Sequence, residues 1–65
     1  MNKQLIIKEL LEQTDKLEEQ LDNFDLLLIS VKNKKFIKMI NNIMDNIYKE
    51  MKIIDERVEL INRFL

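Results

Sequence analysis

Six residue types are missing from this chain: cysteine, proline, glycine, histidine, tryptophan and alanine. Without glycine or proline it has no tight β-hairpin turn, no phosphate-cradling loop, no dinucleotide-binding fingerprint and few helix breakers, so a β-rich fold is not expected. Without cysteine there is no disulfide framework and no thiolate set for zinc or an iron–sulfur cluster. Without histidine the commonest general acid–base group is gone, and the lone Ser30 has no imidazole to activate it. The acidic residues Glu9, Glu12, Asp15, Glu18, Glu19, Asp22 and Asp25 cannot complete the helical di-iron pattern either, because that pattern needs Glu-x-x-His. They read as a solvated face. No catalytic residue, metal or cofactor is expected.

Two further features are scarce. The formal net charge is −1 with 35% charged residues of both signs, which excludes a globally basic nucleic-acid binder and an acidic tail. The longest apolar run is Leu26, Leu27, Leu28 and Ile29, far short of the ~18–20 residues that span a bilayer. The start of the sequence lacks the apolar stretch of a signal peptide, so a cytoplasmic location is expected. The bias toward Ile, Lys and Asn is the composition that an AT-rich coding region produces, as in a phage, a plasmid or a low-GC bacterium.

What the chain does contain is apolar residues at helical spacing. Ile7, Leu10, Thr14, Leu17, Leu21, Phe24, Leu28 and Val31 alternate three- and four-residue steps, with Thr14 the one polar member. A second run follows the same rule through Ile37, Ile40, Met44, Ile47, Met51, Ile54, Val58, Ile61 and Leu65. Both are the a/d pattern of a helix that packs along a seam. Continuing the first register would place Lys35 and Lys38 in the seam, so the runs are offset by two residues. Coiled-coil defects insert three or four, hence a break between two helices fits better than one continuous coil. The polar stretch from Ser30 to Lys35 is the place for it, with Asn33 able to close the first helix or cap the second.

The expected fold is therefore all-α: one domain over residues 1–65, with helices at about 2–31 and 34–65 joined by a turn at about 32–34. At ~1.5 Å per residue the arms match, about 44 and 48 Å, and a short connection makes them an antiparallel, coiled-coil-like helical hairpin. The competing reading breaks the first arm near Asp22, Asn23, Phe24 and Asp25 to give three helices. Four-residue pairs, Lys8 with Glu12, Glu12 with Lys16, Asp45 with Lys49, Lys52 with Glu56 and Glu59 with Arg63, support both arms at ~0.2–0.5 kcal/mol each.

Large apolar residues also lie off the seams, and two helices cannot cover them all. Leu11, Leu27, Phe36, Ile43, Ile53, Leu60 and Phe64 form the candidate second interface, flanked by Ile6, Leu26, Ile29 and Met39. The expected partner is a second copy, giving a four-helix bundle or a higher homo-oligomer, or else a different protein. Met39, Met44 and Met51 read as core filling, and Tyr48, at an e position, as an interface anchor or a rim residue. Lys32, Lys34, Lys35 and Lys38 form a basic cluster at the turn. They complement the C-terminal dipole of the first helix and make a candidate anion patch, although Phe36 alone is no stacking platform for single-stranded nucleic acid. The functional expectation is a non-catalytic protein–protein interaction protein, with nucleic-acid or anionic-surface binding through the lysines as the alternative.

Overall fold

The structure, a computed structural model, describes residues 2–65. It consists of α1, Lys3–Ser30, and α2, Lys34–Phe64, with no strand among the described residues. A 31-residue helix is about 46 Å long at 1.5 Å per residue. The whole molecule measures 48 × 15 × 12 Å, so α1 must lie folded back along α2. The chain is an all-α helical hairpin.

Each helix starts on an asparagine. Asn2 accepts the Leu5 N–H on its side-chain oxygen at 3.2 Å, and Asn33 accepts the N–H groups of Lys35 and Phe36 at 3.0 and 3.2 Å. These bonds satisfy donors that a helix start leaves without a partner. Asn33 is thus the cap of α2 and not an αL terminator of α1; its φ is −73°, and no described residue has positive φ. The connection is residues 31–33, one position earlier than the spacing suggests. Val31 leaves the helix in an extended conformation that suits its β-branched side chain, and that side chain still packs on the core. No break occurs at Asp22 to Asp25; α1 runs through them, which excludes the three-helix reading.

The buried side chains are Leu21 on α1 and Ile40, Met44, Ile47 and Ile54 on α2. All five occupy a or d positions. Ile7, Leu10, Thr14, Leu17, Phe24, Leu28, Val31, Ile37, Met51, Val58 and Ile61 are half-buried along the same seam. Leu65 departs from the pattern at 68% exposed, because it lies past the last helical residue at the level where α1 begins. Thr14 resolves its polarity locally: its hydroxyl donates to the Leu10 carbonyl at 3.3 Å. No polar side-chain atom is buried without a partner among the described residues.

Of the expected four-residue charge pairs, Arg63 and Glu59 close to 3.0 Å. No other ion pair forms among the described residues. At such exposure a long charged side chain gains little from fixing one geometry, so the remaining charges stay solvated.

Candidate interaction surface

With the seam fixed, heptad letters place every remaining residue. On α2 the exposed large apolar side chains Phe36, Met39, Ile43, Ile53, Leu60 and Phe64 all fall at c or g. The b and f positions of α2 carry no exposed large apolar residue, and e carries only Tyr48. In an ideal helix c and g adjoin, about 90–130° from the seam, so these side chains form one stripe along one flank. Asn46, Glu50 and Arg57 interrupt it.

The flank continues onto α1 through its g positions, since antiparallel helices set g beside g. Gln13, at g, shares a shallow open depression of about 190 Å³ with Glu50, Ile53, Ile54 and Arg57, as that arrangement requires. Leu27 is a g residue and joins the stripe near the turn. Ile6, another g residue, is half-buried at the open end. Leu11 does not belong with them: at e it lies on the opposite flank, the side of Tyr48, because one residue of helix is a 100° rotation. Six of the seven candidate interface residues, Leu27, Phe36, Ile43, Ile53, Leu60 and Phe64, therefore share a flank and Leu11 does not. Leu5, Leu26 and Ile29 occupy f and b positions, exposed and scattered around α1.

The other sequence candidates find simpler places. Met44 is buried and Met51 half-buried, as fillers of the seam, but Met39 is 58% exposed on the flank. Lys32, Lys34, Lys35 and Lys38 are all exposed around the turn and form no ion pair. The depression is smaller than the ~300–1,000 Å³ of small-molecule sites, and no three acidic side chains among the described residues converge as metal ligands. No described helix is long and apolar enough to cross a membrane.

The one-sidedness of α2 was available in the sequence, in the spacing of Phe36, Met39, Ile43, Ile53, Leu60 and Phe64. It emerges only after the seam has been located, since c and g are defined relative to it. Comparison with known proteins finds no matching family model, no matching curated protein and no matching solved structure.

Proposed function

We propose that this chain is a non-catalytic protein–protein interaction protein, a small adaptor, regulator or chaperone-like subunit that works through apolar helix faces and assembles into a four-helix bundle. The observation that carries the reading is the apolar c/g flank of α2, left bare by the hairpin. Large apolar side chains aligned on one flank, beside b, e and f positions that are almost wholly polar, are the arrangement of a helix with a second partner. Its interior supports the same reading, since five buried side chains among the described residues are a thin core for a chain of this size.

The test is the double variant Ile43→Asp, Leu60→Asp, which alters two exposed flank positions and leaves the seam intact. Analytical ultracentrifugation should show wild type associated and the variant monomeric, with association that tolerates 0.5–1 M salt, roughly the range where charge attraction is screened within ~3–5 Å. The second reading rests on the four exposed turn lysines. It predicts binding to nucleic acid or an anionic surface that falls steeply with salt and disappears when Lys32, Lys34, Lys35 and Lys38 are changed to Ser. Salt-sensitive binding of that kind, with no protein association, would displace the first reading.

A further inference from the structure

We infer that the bare flank from Ile43 to Phe64 is covered by a second copy of this chain, docked antiparallel with α2 against α2 about a twofold axis beside Ile53, so that Glu50 of each copy faces Arg57 of the other. This rests on the interaction reading above and names its partner and alignment.

The charges select the occupant. From Met39 to Leu65, Glu50 and Arg57 are the two charged residues with no opposite charge three or four positions away. Their neighbours at those spacings are isoleucine, leucine and one asparagine. Every other charge in that segment has an opposite neighbour, as Glu59 has Arg63 at 3.0 Å. Glu50 and Arg57 instead stand in the apolar stripe, on either side of Ile53, and line the same depression. They are two turns apart, about 10 Å along the axis, and make no ion pair with each other.

Their order makes the stripe self-complementary. A twofold interface is isologous, so an alignment that sets Glu50 against Arg57 of the copy also sets Arg57 against Glu50 of the copy. The same alignment places Ile53 beside its own symmetry mate and Ile43 opposite Phe64. Sliding the copy by one heptad brings either Glu50 against Glu50 or Arg57 against Arg57, and like charges in contact disfavour both alternatives. Within the stretch where the two α2 helices overlap, from about residue 42 to the C-terminal end, one register therefore satisfies charge and apolar contact together, and it needs nothing but a second identical chain. Phe36 and Met39 lie beyond the end of the copy's α2.

The experiment is a charge swap read by sedimentation equilibrium on the full chain, with circular dichroism to follow helicity. Wild type should dimerise. Glu50→Arg and Arg57→Glu alone should each raise the dimer Kd by about tenfold or more, since each sets like charges together. An equimolar mixture of these two variants should regain wild-type affinity as a heterodimer, one chain positive and the other negative at both positions. The double variant Glu50→Arg, Arg57→Glu should regain it too, which keeps the test sound if either single change lowers helicity. A mixture no tighter than its components, with a double variant as weak as the singles, would overturn the proposal. A dimer indifferent to both swaps but lost in Ile43→Asp, Leu60→Asp would overturn this alignment and leave the interaction reading standing. A wild-type chain that stays monomeric would overturn the second copy as partner.

Discussion

Toward the turn, Leu21, Ile40, Met44 and Ile47 are buried as one cluster, with Leu17, Phe24, Leu28, Val31 and Met51 packed on it. Toward the open end Ile54 is the one buried side chain among the described residues, and Ile7, Leu10, Val58 and Ile61 are only half-covered. Both halves carry the same seven-residue spacing, so periodicity alone does not set the quality of a core. Near the turn, the connection holds the helices together and Phe24 and Leu28 supply bulk. At the open end, Thr14 takes the a position at the level of Ile54, and a small polar group there leaves less apolar surface to bury. The face that we assign to a second copy is centred beside Ile53, in the half whose own core is thinner.

The largest expected difference between the halves lies in side-chain truncation. Ile40 is 1% exposed within the cluster, so Ile40→Ala should destabilise the hairpin by about 2–5 kcal/mol through lost burial and the cavity left behind. Leu10→Ala, at a half-buried seam position in the open half, should cost about half as much, since part of that side chain already meets water. Urea titrations followed by circular dichroism, at one protein concentration, measure both. Equal losses would mean that the open half is as well packed as the turn half, and the contrast would go.

This contrast also marks what could be read from sequence. The seam was legible because its apolar residues recur at a helix's period; the two-residue offset called for a break, and the polar stretch from Ser30 to Lys35 placed it within a residue of where the helices end and begin. The unequal burial along the seam was not legible, since it depends on which a residue meets which d residue across the hairpin, and that pairing needs the turn's geometry. Leu65 fits the period and is nevertheless exposed, because spacing does not say where the facing helix begins. The flank holding Leu27, Phe36, Ile43, Ile53, Leu60 and Phe64 was legible only as a set of off-seam residues. That Leu11 lies on the other side follows from the angle between e and g.

The helix caps offer a smaller contrast. Asn33 accepts two backbone N–H groups at the turn, and Asn2 accepts one at the open end. Asn33→Ala should therefore cost about 1–2 kcal/mol, because it strands two donors beside the better-packed half. Asn2→Ala should cost about 0.5 kcal/mol, as fraying there releases little buried surface. Amide hydrogen exchange separates the two. Losing the Asn33 cap should speed exchange in α2 from its first turn into the cluster, and losing the Asn2 cap should speed it only in the first turn of α1. Exchange accelerated equally throughout by either change would show the hairpin opening as one unit.

An effect as small as that of the Asn2 cap but opposite in sign, and the one that most sharpens the comparison, is at Thr14. Its hydroxyl already donates to the Leu10 carbonyl, so the seam leaves no polar group stranded there. Replacing it with valine removes that bond and adds a methyl group where an apolar residue would normally sit. The carbonyl of Leu10 retains its helical partner, so little is lost, and the added burial should stabilise the open half by about 0.5–1 kcal/mol. Thr14→Val should accordingly raise the melting temperature and narrow the gap between Leu10→Ala and Ile40→Ala when those changes are repeated in its background. Sedimentation should find the same stoichiometry as wild type if Thr14 is only a tolerated imperfection. Mixed oligomers at a higher melting temperature would instead show that this polar a position fixes the alignment of the chains, as a polar residue in a coiled-coil seam does. A lower melting temperature would refute both accounts, because it would mean that the hydroxyl is worth more to the open half than the methyl group that replaces it.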